Sequence, residues 1–400
     1  MGAVPKLAIP ADPTVQAELH EQLADHKAAK SSLSSPGAVL RFYEQRQEKP
    51  AWLEGRQITA VGVDALRGLS QLSIHGLDPS RYGLDGLAPR GAEPDDPAAF
   101  ELQLTDAWLT AAAHLRGRVD PRTLRTTWTA DGRAQELAQA LETALAEGKP
   151  QEALLAQAPA HPEYVARVAA LQALLDETNK GDVPKPTQRL LEQLPVDLER
   201  LRWLPREPAA RPAARYMWID LGAGQATLFE GTKADPTTRV AVSKQCRNVD
   251  SHGVTITEVI RNPEDPRYGT HELRTSGAPA LVLHGAPEDR AFPNDGVARA
   301  GCWRLEDPEV LTQALLRGDP ASARDAAATP PDEKTPQVIE LDPPVTLHVV
   351  RTSVLVDHAG KPTLLEGAYA QSASLRNALA EGPARRRRPH KKSPLATKPR

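Results

Sequence analysis

ETNKGDVPKPT, residues 177–187, divides the chain into two periodicities. It is polar and carries a glycine and two prolines, the composition of a linker. On its N-terminal side, residues 36–176 read as helical. Leu137, Leu141 and Leu145 recur at four-residue spacing with Ala134 and Ala138 beside them, and Gly148 and Pro150 stop that helix. Val165, Val168, Leu171 and Leu175 form a second apolar face of the same kind. On its C-terminal side the runs are short and rich in Val, Ile, Leu and Thr: RYMWIDL (215–221), QATLFEG (225–231), TRVAVSK (238–244), VTITEVIR (254–261), APALVLHG (278–285) and PVTLHVVRTSVLVD (344–357). These read as strands. DLGAGQ (220–225) and DHAGK (357–361) suit hairpin turns between them. One helix is expected at Pro308–Arg317. The fold class is therefore α+β, with a helical part at 36–176 followed by a mostly β part at 188–380.

The ends differ in character. Residues 1–35 form a polar extension with a helical stretch around Val15–Ala29. Residues 318–336 are rich in Asp, Ala and Pro and read as an exposed loop. Residues 381–400 form a tail with eight Lys or Arg after Glu381, either solvated or drawn to an anionic envelope surface.

The bulk composition narrows the function classes. The chain has 400 residues, enough for two domains. Its 37 prolines are about twice the usual share, consistent with linker and tail segments. A formal charge of −3 points to no polyanionic partner, so no nucleic acid is expected. The opening MGAVPKLAIPADPT has no apolar run of signal-peptide length, and nothing in the chain is apolar for long enough to span a membrane. The sequence fixes no oligomeric state.

The chemistry-bearing residues are few. There are two cysteines, Cys246 and Cys302. They can pair as one disulfide, in which case Cys246 silences Cys302, or Cys302 can be a reactive thiol. A reactive thiol needs a base. His284 ends a strand-like run, is followed by Gly285, and lies eighteen residues before Cys302 in Gly301-Cys302-Trp303-Arg304. An imidazole can take the thiol proton, and nearby backbone N–H groups can hold an oxyanion. Gly301 permits a sharp bend and close approach. Arg304 can lower the thiol pKa or bind a carboxylate. The candidate catalytic residues are thus Cys302, His284, Gly301, Arg304 and Gly285. His252 reads as a loop histidine, His75 as a turn residue, and Trp52, Trp108, Trp128 and Trp203 as packing anchors. A zinc site on Cys302, His284 and His252 has acceptable ligands but no further support. No metal or organic cofactor is expected.

The same residues resemble the large, scaffold-containing branch of the bacterial L,D-transpeptidases. Fourteen residues separate His284 from Arg299, and Arg299-Ala300-Gly301-Cys302-Trp303-Arg304 fills the place of that family's cysteine motif. VDLERLRWLP (196–205), TITEVIRNP (255–263) and residues 338–369 resemble its catalytic domain. LRFYEQRQEKPAW (40–52), SIHGLDPSRY (73–82), residues 104–121 and residues 161–164 resemble its helical scaffold domain. The resemblance implies a mostly β catalytic domain beside the helical one, a periplasmic location, and peptidoglycan stem peptides as partners. It implies acyl transfer through a thioester on Cys302, with His284 as base and then acid, and acylation of Cys302 by carbapenems.

The sequence departs from that family at three places. Ala300 stands where the motif has a histidine. Only twenty residues lie between Pro263 and His284, too few for the family's substrate cap. Twenty residues between Leu175 and Val196 leave no room for a peptidoglycan-binding domain.

Overall fold

The computed structural model describes residues 13–24, 33–87, 93–127, 129–178, 183–204, 214–246, 254–276, 281–288, 290–294, 296–317, 335–365, 367 and 372–381. Trp128, His252, most of the 318–336 loop and the basic tail beyond Glu381 lie outside them.

The N-terminal half is helical: α1 (Pro13–Ala24), α2 (Pro36–Gln45), α3 (Ala60–Ser70), α4 (Pro97–Leu115), α5 (Ala134–Glu147), α6 (Pro150–Leu155), α7 (Pro162–Thr178) and α8 (Lys185–Arg202), with a small hairpin of β1 (Leu53–Glu54) and β2 (Gln57–Ile58). α4 is buried nearly all round and forms the axis of this half. Its polar side chains meet neighbouring backbone. Glu101 accepts the N–H groups of Ala51, Trp52 and Leu53 at 2.8–2.9 Å and the Tyr43 hydroxyl at 2.7 Å. Asp106 accepts Ser34 N and Ser35 N at 2.9 and 2.7 Å, just ahead of α2. Trp52 and Trp108 are packing anchors whose indole N–H groups donate to Thr105 Oγ1 and Pro150 O.

Several sequence expectations meet the structure closely. α5 ends at Gly148, whose φ of +70° supplies the left-handed cap that a branched side chain resists. Of the N-terminal helical stretch expected at Val15–Ala29, the described part is a helix, Pro13–Ala24, and residues 25–29 lie outside the described residues. In α7 the buried face differs from the apolar one expected. Tyr164, Arg167, Leu171 and Leu174 are buried, while Val165 is 54% exposed. Arg167 occupies a core position, so an apolar pattern alone sets the face one residue off. Of the 177–187 segment, residues 179–182 lie outside the described residues. Its first two residues end α7 and its last three begin α8. Pro184 caps α8 and Pro186 sits in its first turn, where a missing N–H costs nothing.

The C-terminal half is a closed eight-stranded barrel, β10-β3-β4-β5-β9-β8-β7-β6. Its strands are β3 (Arg215–Asp220), β4 (Gln225–Glu230), β5 (Lys233–Val242), β6 (Thr255–Arg261), β7 (His271–Thr275), β8 (Val282–His284), β9 (Trp303–Leu305) and β10 (Gln337–Val350). Two neighbours run parallel, β10 with β3 and β8 with β9; the other pairs are antiparallel. Met217 and Ile219 alternate with Tyr216 and Trp218 along β3. The first pair belongs to the barrel core; the second packs on α7 and α8 through Tyr164, Leu171, Leu198 and Leu201. That double burial explains the unbroken apolar run of β3. In β10 the register shifts between Glu340 and Val345, where Asp342-Pro343-Pro344 lacks two ladder donors. α9 (Pro308–Arg317) adds Leu311 and Leu315 to the barrel core. The hairpin of β11 (Val354–Val356) and β12 (Pro362–Leu364) and α10 (Ala373–Ala380) follow among the described residues.

α8 joins the halves with buried charge. Asp197 accepts Ser353 N, Ser353 Oγ and Val354 N from the barrel side. Glu199 accepts Arg118 N and Val119 N from the helical side, both at 2.6 Å. Arg202 donates to Glu199 at 2.9 Å and to the Tyr164 hydroxyl at 3.0 Å, and reaches the His75 carbonyl. His75, expected in a turn, ends a short 3-10 helix and is buried against Tyr164. Among the described residues no helix is long and apolar enough to cross a membrane.

Candidate active site

The parallel pair β8 and β9 creates the candidate site. Leu283 lies opposite Trp303, and His284 opposite Arg304. Strand alternation sends Leu283, Trp303 and Leu305 into the barrel core and leaves His284 and Arg304 on the other side. Residues eighteen apart thereby become neighbours, because the connection from Gly285 to Cys302 returns the chain beside itself.

His284 is 1% exposed and stacks on the Tyr268 ring with centroids 4.4 Å apart. Its Nδ1 lies 2.6 Å from Gly285 O and its Nε2 2.8 Å from Ala300 O. Both ring nitrogens therefore face backbone carbonyls, and neither meets the Cys302 sulfur. Burial lowers the His284 pKa; the two carbonyls act in the opposite sense and do not overcome it. A neutral imidazole has one N–H, so it donates to one of the two carbonyls at a time.

The two glycines allow the close approach. Gly301 has φ +57°, and a Cβ there would stand 2.5 Å from His284 Nε2. Gly301→Ala is expected to cost about 1–2 kcal/mol from the backbone conformation alone. It also displaces the His284 ring, so the NMR shift of that imidazole moves together with a lower urea midpoint; an unmoved resonance would break the link between Gly301 and His284. A Cβ on Gly285 would meet Pro308 Cγ at 2.9 Å and Tyr268 O at 3.2 Å.

Arg304 holds the connecting loop. It donates to Arg290 O at 2.5 Å, and its guanidinium lies 5.7 Å from the Phe292 ring, which Arg239 flanks at 4.5 Å. Burial and neighbouring Arg290 lower its pKa. Its Nε is buried without a partner.

Cys302 is bonded to Cys246. Of the two alternatives for the cysteines, the disulfide is the one present, and no described cysteine is free. In this state the Cys302 sulfur has no proton for His284 to take. Topology brings the pair together. β5 pairs with β9 through Val242 and Trp303, Ser243 N donates to Cys302 O at 2.9 Å, and Cys246 ends the 3-10 turn that follows. The Cα atoms are 5.3 Å apart, within normal disulfide reach. Tyr268 and Glu272 escaped the sequence reading. Glu272 lies opposite His284 across β7 and β8 and pairs with Arg274 at 2.6 Å. No local signal marks either. Among the described residues no group of three or more His, Cys, Asp or Glu could hold a metal ion. His252 lies outside them.

Comparison with known families bears on the helical half. A family model described as Scaffold domain matches residues 37–171. These residues form a Scaffold domain. No curated protein matches the chain. The match spans α2 to the middle of α7, so the Scaffold domain contains the α4 axis and stops before α8 and the barrel. The matched residues meet α8 through Arg118 and Val119, which donate to Glu199, the β11–β12 hairpin through Arg167, which donates to Val354 O, and the barrel through Tyr164, which packs with Tyr216 and Trp218.

Proposed function

We propose that this chain is a relative of the L,D-transpeptidases that performs acyl transfer through Cys302 once that residue is a thiol. The observation that carries the proposal is the convergence of His284, at the end of β8, with Gly301-Cys302, which lead into the neighbouring parallel strand β9. The Scaffold domain ahead of the barrel supports it. In this reading Cys302 attacks the carbonyl of the L-centre of meso-diaminopimelate in a peptidoglycan tetrapeptide stem. The C–N bond to the terminal D-Ala breaks, and D-Ala leaves with a proton. An amine of a second stem then displaces the thioester and restores the thiol. His284 takes the thiol proton and returns one to the leaving amine, for which its Nε2 must exchange Ala300 O for the sulfur. Backbone N–H groups beside Cys302 would stabilise the oxyanion. The partners are peptidoglycan stem peptides and the location periplasmic; the basic tail would contact the anionic envelope.

A second reading is favoured by specific observations. Cys302 is bonded to Cys246, His284 faces two carbonyls, and Ala300 offers no second imidazole. The chain would then be a non-catalytic relative that binds the cell wall. A labelled carbapenem separates the two on reduced, folded, full-length protein. Acyl transfer predicts a stoichiometric adduct on the peptide containing Cys302. Cys302→Ser should lower adduct formation by a factor of about a thousand or more, as loss of a nucleophile does. No adduct on the reduced protein would leave the non-catalytic reading.

A further inference from the structure

We propose that the Cys246–Cys302 disulfide is a redox latch on the acyl-transfer site, opened by a protein that carries a vicinal dithiol. The inference rests on the acyl-transfer reading and names what regulates that site. The bond occupies the sulfur that attack on a carbonyl requires, so the oxidised chain is inert.

Three features distinguish a latch from a staple. First, the frame around the bond stands without it. β5 and β9 are already paired at Val240–Leu305, Ala241–Arg304 and Val242–Trp303. Ser243 N donates to Cys302 O at 2.9 Å, and Cys246 N donates to Ser243 O at 3.2 Å. These bonds keep the two sulfurs near each other after reduction, so the bond can close again. Second, the two residues differ in exposure. Cys246 is 8% exposed, whereas Cys302 is partly exposed. A thiolate from solvent therefore reaches Cys302 first. Third, the chain has two cysteines, so the opened pair has no other intramolecular partner.

The exchange balances with a dithiol. One thiolate of the reductant attacks the Cys302 sulfur, the Cys246–Cys302 bond breaks, and Cys246 leaves and takes up a proton. The second thiol of the reductant then attacks its own sulfur in the mixed disulfide. Cys302 leaves as the thiolate beside His284, and the reductant departs as a disulfide. Two electrons and two protons pass from the dithiol to the pair. Arg304, two residues beyond Cys302 in the chain, adds positive potential that favours Cys302 as the leaving thiolate in the second step.

The test uses full-length protein and a labelled carbapenem, with dithiothreitol as the dithiol. Oxidised wild type should show no thiol by native mass tagging and no adduct. Dithiothreitol should expose two thiols and raise adduct formation at Cys302 at least tenfold, with the far-UV circular dichroism unchanged. Cys246→Ala should form the adduct without reductant, at the rate of reduced wild type, and Cys246→Ser gives a second chance at a folded variant. Equal labelling of wild type with and without dithiothreitol overturns the latch and leaves acyl transfer standing. No adduct in folded, reduced wild type or in either Cys246 variant overturns acyl transfer, and the latch with it. Loss of folded signal on reduction and in both variants overturns the latch in favour of a staple.

Discussion

Asp197→Ala is expected to destabilise the folded chain by roughly 3–5 kcal/mol, the cost of breaking a buried ion pair from one side. Asp197 and Arg167 are both fully buried. Asp197 receives Ser353 N at 2.7 Å, Val354 N at 2.8 Å and Ser353 Oγ at 2.5 Å, and Arg200 approaches at 3.2 Å. Burial pushes its carboxyl up, while Arg167 and Ser353 favour the charged form. Removing the carboxylate orphans two backbone N–H groups and leaves the Arg167 guanidinium with Glu163 and the Val354 carbonyl alone. The charge is then uncompensated on the side facing α8. Urea unfolding measures the loss, and a melting temperature lower by about 10 °C should accompany it. The double change Asp197→Ala with Arg167→Met should recover part of the loss, because it removes the stranded charge as well. A single variant within 0.5 kcal/mol of wild type, roughly the scatter of surface substitutions, would remove this network from the account of the interface.

The same network shows where local sequence ceases to be informative. α5 and α9 were legible because their faces are apolar without interruption and their ends carry Gly148 or Pro308. The turn at 221–224 was legible for its glycines. α7 was legible as a helix, yet its face was set wrongly, because Arg167 is a core residue paired across the interface. β7 was missed because Leu273 is the one apolar residue in HELRT, and Glu272 is a charged residue buried on the face away from the barrel core. β9 has three residues, too few to show a period. The candidate site divides in the same way. Spacing located His284 and Cys302, and the structure makes their elements neighbours. Which atom His284 faces, and that Cys246 meets Cys302, depend on β5 and β8 flanking β9 in a closed barrel. That order is a property of the whole sheet and is written in no local stretch. The Scaffold domain match at 37–171 and the helical reading of 36–176 rest on different grounds, one on a family model and the other on periodicity.

Acid should unfold this chain early, and the buried histidines set the slope. His75 is held at about 4, chiefly by burial and then by Arg202. His114 is held at about 3 by burial and then Arg118, and His161 at about 3 by burial and then His348. In the unfolded chain each returns to about 6.5. Between pH 6 and 4 the unfolded chain therefore holds nearly three protons that the folded chain does not. Asp106 works in the other direction. Burial raises it to about 6, so the folded chain gains a proton there that the unfolded chain does not yet hold. From these four groups alone the unfolded state binds about two more protons across this window, a contribution of about 2.7 kcal/mol lost per pH unit. Two pH units remove roughly 5 kcal/mol, comparable with the whole stability of many domains, so the acid midpoint should lie between about pH 4 and 5. His271 and His284 are lowered as well and add to the slope with the same sign. Urea midpoints taken from pH 7 to 4.5 measure it. Asp106→Asn removes one opposing group, while Glu101 and Asp197, raised by burial, continue to oppose the slope. The substitution lowers stability at every pH by weakening the bonds to Ser34 and Ser35, and it steepens the slope from about two protons to three. A urea midpoint that stays level from pH 7 to 4.5 would mean that these imidazoles gain protons within the fold, and the burial that holds them neutral would have to be abandoned.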